Sequence, residues 1–250
     1  SYNFYGQTGM LDMPDANFQP DGELSFSVSA SPTEQRYTIN FQALPWLETD
    51  FRYSHILNEF QAYDRSLSFK IRLSQEDRYF PQVAIGAEDL LGTGIFGAEY
   101  LVASKKIGDF DVTGGVGWGR FSSFAAFKNP FSLISAGFLH RGTNELGGSF
   151  SAKSLFHGSH AGLFGGIAWQ SPIEGLKLIV ELSGDHYTRE HADGSINVKS
   201  QINLGVSYEP WRGIQFGLGY VFVSVFGGRI PIHLNPFDDA ANVKVGAAPV

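Results

Sequence analysis

The chain has 250 residues, of which 43% are hydrophobic, 14% aromatic and only 17% charged, and its formal net charge at pH 7 is −7. This length and composition support a large core and exclude a disordered chain, and the negative charge argues against nucleic acid as a partner, because phosphate binding needs a basic face. The chain contains no cysteine, which excludes disulfides, thiolate metal sites and catalytic cysteines.

Apolar residues recur at every second position along most of the chain, which is the period of a β-strand rather than of a helix. Within residues 23–31, for example, four apolar side chains alternate with four serines. No segment predicts a convincing amphipathic helix, so we expect an all-β fold. In chain order the predicted strands are 23–31, 36–44, 49–57, 64–74, 81–89, 95–104, 109–120, 160–170, 176–186, 200–209, 214–226 and a short last strand at 229–235.

The predicted strands are about 9 to 12 residues long, whereas strands of soluble sheets most often have roughly 5 to 6. A membrane-spanning β-strand needs about 9 to 11 residues with one apolar and one polar face. Alternation alone does not separate such a strand from one in a soluble β-sandwich, where the apolar face would form the core. No apolar run approaches the roughly 20 residues of a membrane-spanning helix.

Aromatic residues near the strand ends favour the transmembrane barrel, because amphipathic rings are enriched where a membrane meets water. The alternative is that these rings are ordinary core residues. The predicted interfacial girdle consists of Trp46, Tyr53, Phe110, Trp118, Trp169, Tyr208 and Trp211.

The distribution of turns also favours an up-and-down barrel. The tight turns 44–48, 105–109, 171–175 and 209–213 fall at one end, whereas the long connections 121–159 and 188–199 fall at the other. Outer-membrane barrels have short turns on the periplasmic side. We therefore predict twelve antiparallel strands with both chain ends periplasmic, a periplasmic or plug segment at 1–22, a barrel at 23–237 and a tail at 238–250.

Several strings are more specific than the periodicity. They are TGMLDMPDA at 8–16, FQALPW at 41–46, the run LLGTGIFGAEYLVASKKIGDFDVTGGVGWGR at 90–120 and LFGGIAWQSPIEGLKL at 163–178. With them the chain resembles the YjbH/GfcD-type family of exopolysaccharide and group 4 capsule proteins, from about residue 6 to residue 225. The resemblance implies an outer-membrane β-barrel that works beside a periplasmic polysaccharide-export protein. Many members are longer, so this chain resembles their N-terminal, barrel-forming part. The resemblance implies no catalytic residues.

If the apolar faces meet lipid, the alternate residues line a lumen. A polar wall of mixed sign would suit a hydrated glycan that passes passively. The alternative is that several of these groups pair across the lumen and close it, since twelve strands lie between the filled eight-stranded barrel and the open porins. The predicted lining comprises Asp50, Arg52, Lys70, Arg72, Glu88, Glu99, Asp111, Lys177, Glu181, Asp185, Gln201, Asn203, Glu209 and Gln215.

Partners follow from this interpretation: outer-membrane lipid, an exopolysaccharide, and a periplasmic polysaccharide-export protein, with self-association left open. The export protein would dock at the short-turn end, near Trp46, Lys105, Lys106, Trp211 and Arg212, although girdle anchoring explains the aromatic residues equally well. The phenylalanines of 121–159 would either stack on sugar rings or pack into a loop core of their own.

Two rival functions remain at this point. One is a barrel hydrolase acting on lipid A or phospholipid, with His157 and Ser159 oriented by Glu145 or Glu174. The other is a soluble carbohydrate-binding β-sandwich. A metal site at His186, Glu190 and His191 is a weaker hypothesis than an exposed charged loop, because 186 and 190 share a face only on a helix. The sequence predicts no enzyme, metal or cofactor.

Overall fold

The computed structural model describes residues 1–31, 34–57, 63–91, 96–142, 154–185, 187, 200–221 and 225–234. Two short 3-10 helices, Pro130–Leu133 and Ala136–Leu139, are the helices of this part of the chain, and neither has the length or apolar composition to cross a membrane. The strands are β1 Leu24–Ala30, β2 Glu34–Leu44, β3 Leu47–Ile56, β4 Tyr63–Ser74, β5 Gln82–Glu88, β6 Ala98–Ile107, β7 Phe110–Gly119, β8 Phe127–Lys128, β9 His160–Gln170, β10 Leu176–Leu182, β11 Ile202–Trp211, β12 Ile214–Val221 and β13 Val225–Leu234.

Twelve long strands form one antiparallel ring. Each pairs with its neighbours in sequence, and β7 pairs with β9 because the two-residue strand β8 lies beside the start of β9. The last strand pairs with the first, from Leu24 opposite Leu234 to Ala30 opposite Gly228. Each long strand therefore has two antiparallel neighbours, and the predicted all-β, up-and-down barrel of twelve strands is confirmed.

The strand boundaries agree with the prediction within a few residues except at the last hairpin. The predicted strand 214–226 ends at Val221, and the final strand begins at Val225 rather than at 229. Tyr220 and Val221 pair with Phe226 and Val225, so the apolar run is divided between two strands. The run carries no glycine or proline to mark a turn, which is why its pattern predicts one continuous strand.

Polar side chains face the inside of the ring and apolar side chains face outward. In β2, Thr38 and Asn40 are each 1% exposed, whereas the neighbouring Ile39 is 48% exposed. The same alternation recurs in β3, where Asp50 and Arg52 are buried and Phe51 is exposed. This is the reverse of a soluble sandwich, in which apolar faces form the core.

The connections at the two ends of the ring differ in length. Strands β2–β3, β6–β7 and β11–β12 are joined by two-residue turns at one end, which we call the short-turn end. The long connection between β7 and β9 and the one between β10 and β11 lie at the other end. Since Leu24 pairs with both Phe41 and Leu234, β1 begins and β13 ends at the short-turn end.

Residues 1–18 run inside the ring, and we call them the inner segment. Phe4, Met10, Leu11 and Met13 of this segment are buried in a cluster with apolar residues of the wall. Two glycines of the wall make the close approach sterically feasible, because a Cβ at Gly205 would collide with Leu11 and one at Gly219 with Phe4. The hydrophobic core of the protein is therefore the contact between the inner segment and the barrel wall. Its remaining members include Tyr100, Phe121, Phe164 and Ile179.

Pairing of the first strand with the last can be tested in a chain that has no cysteine of its own. We expect the variant Val28→Cys/Ile230→Cys to form a disulfide on mild oxidation, because these residues are opposite each other in adjacent strands. The readout is mobility on a non-reducing gel after denaturation. Val28→Cys/Leu218→Cys, with partners two strands apart, should remain uncross-linked. If both cysteine pairs cross-link equally, or if neither cross-links, the pairing of β1 with β13 is contradicted.

Candidate functional site

The interior of the barrel is the candidate functional site, and it contains most of the predicted lumen residues. Four of the predicted lumen residues lie on the inner side of the ring but are partly exposed, because they are near one of its ends: Arg72, Asp111, Lys177 and Gln201. The fully buried members on strands, or directly after β10, are Asp50, Arg52, Lys70, Glu88, Glu181, Asp185, Asn203 and Gln215.

Two predicted lumen residues lie elsewhere. Glu99 shares the outward face of β6 with Leu101, since Tyr100 and Val102 point inward, and it is buried beneath the connection after β7. Arg141 binds its two carboxylate oxygens at 2.7 and 2.9 Å, and the Phe156 amide donates to Oε2 at 3.0 Å. Glu209 is exposed near the β11–β12 turn, where it accepts a hydrogen bond from the Gly213 amide at 3.2 Å. A register shift between Tyr208 and Trp211 interrupts the alternation there.

The predicted girdle residues are exposed or partly exposed, with one exception. Trp118 is only 5% exposed, and its indole N–H donates to Asn129 Oδ1 at 3.1 Å. Phe131 and Phe156 pack against its ring, at centroid distances of 5.5 and 5.1 Å. The connection after β7 therefore folds back over the outer wall and covers Trp118, which was predicted to meet the interface. Of the other members, Trp46, Phe110, Tyr208 and Trp211 are exposed, and Tyr53 and Trp169 are partly exposed.

A buried ion pair on the wall holds the middle of the inner segment. Lys70 Nζ lies 3.0 Å from Glu48 Oε2, and both side chains are almost fully buried. The Thr8 amide donates to Glu48 Oε1 at 2.9 Å, and Lys70 donates to the Asn17 carbonyl at 2.8 Å. Because a buried ion pair needs further hydrogen bonds to offset its desolvation, the inner segment supplies partners that the pair requires.

A second anchor lies on the opposite wall. The Glu181 carboxylate accepts hydrogen bonds from three consecutive backbone amides, those of Leu11, Asp12 and Met13, at 2.9, 3.0 and 3.0 Å. Asn203 also donates to it at 2.9 Å. Successive amides that converge on one anion form a nest, a strong arrangement for a buried carboxylate. Glu181 therefore fixes residues 11–13 of the inner segment.

Near the start of the inner segment, Tyr5 lies among arginines. The guanidinium carbons of Arg36 and Arg52 lie 4.2 and 4.9 Å from the ring centroid, within cation–π range. Thr38 Oγ1 donates to the Tyr5 carbonyl at 2.8 Å. Burial raises the pKa of the Tyr5 hydroxyl, although Arg120 and Arg36 oppose this, so the phenol stays neutral.

Contacts of the inner segment reach other parts of the ring as well. Gln7 donates to Asp50 at 3.0 Å, the Tyr2 amide to Gln215 at 3.3 Å, and the Ala16 amide to Ser104 at 2.9 Å. These partners lie on β3, β12 and β6, so the segment is bound on several sides. A cavity of about 290 Å³ remains towards the short-turn end, lined by Asp15, Asn17, Phe18, Glu76, Lys106, Asp111 and Lys177 among others.

The catalytic and metal hypotheses find little geometric support. His157 bonds to the Leu155 carbonyl at 2.6 Å, whereas Ser159 Oγ bonds to the neighbouring His160 at 2.8 Å. Glu174 lies in the β9–β10 turn, at the opposite end of the ring. Glu145, His186, Glu190 and His191 lie outside the described residues, and within those residues no three His, Asp or Glu side chains are grouped to hold a metal ion.

Comparison with known proteins places this barrel in a family. The model of the exopolysaccharide biosynthesis family YjbH matches residues 1–250. The chain belongs to the YjbH family. It is 35% identical over 251 residues to the Escherichia coli (strain K12) protein named "Uncharacterized lipoprotein YjbH", covering 96% of this chain and 36% of that protein. The chain thus spans about a third of its relative.

Solved structures similar to the chain include two outer-membrane barrels. The NanC porin aligns over 84% of this chain and 98% of its own, with 9% identity and a TM-score of 0.44. The N-terminal β-barrel domain of Pseudomonas aeruginosa OprF aligns over 86% of this chain and 100% of its own, with 6% identity and a TM-score of 0.27.

The sequence predicts a periplasmic or plug segment at 1–22 without identifying what would hold it. The residues that it missed are Tyr5, Thr8, the amides of 11–13 and the apolar wall residues Tyr100 and Phe164. The one signal available was Ile179, which interrupts the polar face of β10 and packs in the core cluster with the inner segment.

Glu181→Ala should loosen the inner segment, because three buried amides lose their side-chain acceptor and a buried donor left without a partner costs about 1–3 kcal/mol. With Ala16→Cys as a reporter in the detergent-solubilised chain, we expect at least a tenfold faster reaction with a maleimide. The matched control is Glu174→Ala, which removes an exposed carboxylate from the β9–β10 turn. An unchanged labelling rate in Glu181→Ala would contradict the anchoring role.

Proposed function

We propose that this chain forms a barrel integral to the bacterial outer membrane that assists the passage of an exopolysaccharide, with residues 1–22 acting as a plug that must move for passage. The family description and the lipoprotein name of the relative connect the chain with exopolysaccharide and with a membrane. The single observation that carries the proposal is the inverted alternation, with polar side chains buried inside the ring and apolar side chains exposed outside it.

The outer face supports a lipid environment. Large apolar side chains are exposed on strands around the ring, among them Phe51, Leu101, Ile167, Leu204 and Leu218, each 41–49% exposed. A soluble protein does not expose a continuous apolar surface of this kind, whereas lipid would bury it. Strands paired on both sides also satisfy the backbone hydrogen bonds that a bilayer cannot.

The interior supports a polar path. With the inner segment withdrawn, its wall partners would present carboxylates, an ammonium group, guanidinium groups and amides to the lumen. Such groups can replace part of the hydration of a glycan, and no covalent step is needed. We therefore assign the inward-facing predicted residues, without Glu99 and Glu209, to the glycan path.

We assign the short-turn end to the periplasm, since outer-membrane barrels have their short turns there. This end carries exposed rings on the β4–β5 connection and on two turns: Tyr79, Phe80, Trp46 and Trp211 are 48–76% exposed. Lys105 pairs with Glu76 beside them at 3.0 Å. An aromatic surface rimmed by charges is suited to a protein contact, and we place a periplasmic polysaccharide-export protein there.

No observation favours the other candidates. The hydrolase lacks a bonded His157–Ser159 pair, and the sandwich is contradicted by the ring and by its exposed apolar face.

Membrane fractionation of cells that express the chain with an outer-membrane export signal tests the proposal. We expect the protein in the outer-membrane fraction after a carbonate wash, and faster migration of the unboiled sample on an SDS gel, because a ring paired on all sides resists the detergent. Boiling is the internal control. A chain that stays soluble without detergent and migrates identically boiled and unboiled would contradict the proposal.

A further inference from the structure

The inner segment carries two buried aspartates, Asp12 and Asp15, but its hydrogen bonds to the charged side chains of the strands are made by uncharged groups. In the described part of the chain, the hydrogen bonds from this segment to ionisable side chains of the strands come from amides, hydroxyls and carbonyls. Glu48 accepts from the Thr8 amide and hydroxyl, Asp50 from the Gln7 side chain, and Glu181 from three backbone amides. Lys70 donates to the Thr8 hydroxyl and to backbone carbonyls.

These are the hydrogen-bonding groups of a neutral sugar. A hydroxyl both donates and accepts, so it can bond to a carboxylate as Thr8 does to Glu48 and accept from an ammonium group as Thr8 does from Lys70. Apolar side chains of the segment also pack on Tyr100 and Phe164, surfaces on which the apolar face of a sugar ring can lie. At these wall residues the inner segment makes contacts of the kind that a polyhydroxylated ligand could make.

Unpartnered polar atoms of both kinds, donors and an acceptor, remain on the inner wall. Arg52 is fully buried, and its Nε and Nη1 have no hydrogen-bond partner among the described residues, whereas Nη2 donates to Ser66 at 3.2 Å. Glu88 is 3% exposed, and its Oε1 is likewise without a partner in the described structure. Hydroxyl groups of a ligand could pair with both, because a hydroxyl can accept from the Arg52 N–H groups and donate to Glu88 Oε1.

The inward-facing charges oppose a polyanion. Carboxylates outnumber cations on the described strands, and residues 1–22 contain three aspartates and no lysine or arginine. An anionic glycan would meet net repulsion, and a carboxylate has no proton to donate to it. The inward carboxylates are Glu34, Glu48, Asp50, Asp64, Glu88, Asp111 and Glu181, seven in all, against six cations whose side chains the structure describes: Arg36, Arg52, Lys70, Arg72, Lys106 and Lys177.

We infer that Glu48, Asp50 and Glu181, with Lys70 and Arg52, are specificity-determining residues that select a neutral, hydroxyl-rich glycan over a polyanionic one, and that the inner segment occupies the place of this glycan. The inference rests on the proposed function, because it presupposes that the lumen opens. It adds the chemical class of the polymer and the wall residues that discriminate.

The test is conductance of the purified chain in planar bilayers, carrying Tyr5→Ala to remove the ring held between Arg36 and Arg52. We expect current steps, a reversal potential in a KCl gradient that shows cation preference, and block by neutral dextran fragments at a concentration at least tenfold lower than by dextran sulfate of equal length. Adding Glu48→Gln and Glu181→Gln should shift the reversal potential towards the value for anion preference. It should also reduce the difference between the blocking concentrations of dextran and dextran sulfate. The matched control is Glu209→Gln, an exposed carboxylate outside the lumen, which should change neither quantity.

A disulfide tether separates failure of the inference from failure of the proposed function. Leu11→Cys/Gly205→Cys, added to Tyr5→Ala, joins residues in contact and should abolish the current until a reductant is added. Current that is anion-selective and blocked as well by dextran sulfate as by dextran overturns the inference and leaves the proposed function standing. Absence of current in Tyr5→Ala, with and without reductant, overturns both.

Discussion

The structure depends on the requirement that charges removed from water have partners. The ring of β-strands points its polar side chains inward, where Glu48, Lys70, Arg52 and Glu181 are each at most 3% exposed. An isolated buried charge costs several kcal/mol, and an ion pair offsets that cost only with good geometry and additional hydrogen bonds. Residues 1–18 supply many of these bonds, so the barrel and its inner segment stabilise each other.

The same requirement explains how the inner segment folds without helix or strand of its own. Its turns leave backbone amides unpaired, and the wall carboxylates accept them, as Glu181 does for residues 11–13. Its apolar side chains find space where the wall has glycine, at Gly205 and Gly219. A wall built of larger residues at these positions would leave no room for the segment.

The sequence predicts the barrel well because its signal is local. A strand in a ring of this kind repeats every second residue, and the number and order of the twelve long strands follow from that period. The predictions are wrong for side chains whose burial is determined by a segment outside their own strand. Glu99 and Trp118 are opposite each other in β6 and β7, and the connection after β7 covers both on the outer wall. The alternation of polar and apolar residues within a strand does not show that another segment will cover it.

The location of the inner segment could not be predicted from the sequence either. Residues 1–18 have no periodic pattern, so their location inside the ring was open between a periplasmic segment and a plug. Their contacts join residues far apart in the chain, such as Tyr2 with Gln215 and Leu11 with Glu181, and such pairs cannot be read from one sequence. Ile179 on an otherwise polar face gave the one local indication of an apolar partner inside.

We propose that the apolar face of the ring meets lipid while the polar face meets the inner segment. Spin labels on single cysteines at 203, 204, 206 and 207 of β11, in the chain reconstituted into bilayers, measure this directly through collision with oxygen and with a water-soluble nickel complex. We expect high oxygen and low nickel accessibility at Leu204 and Val206, and low accessibility to both reagents at Asn203 and Ser207. Nickel accessibility at Leu204 and Val206 equal to that of an exposed turn residue such as Arg212 would contradict it.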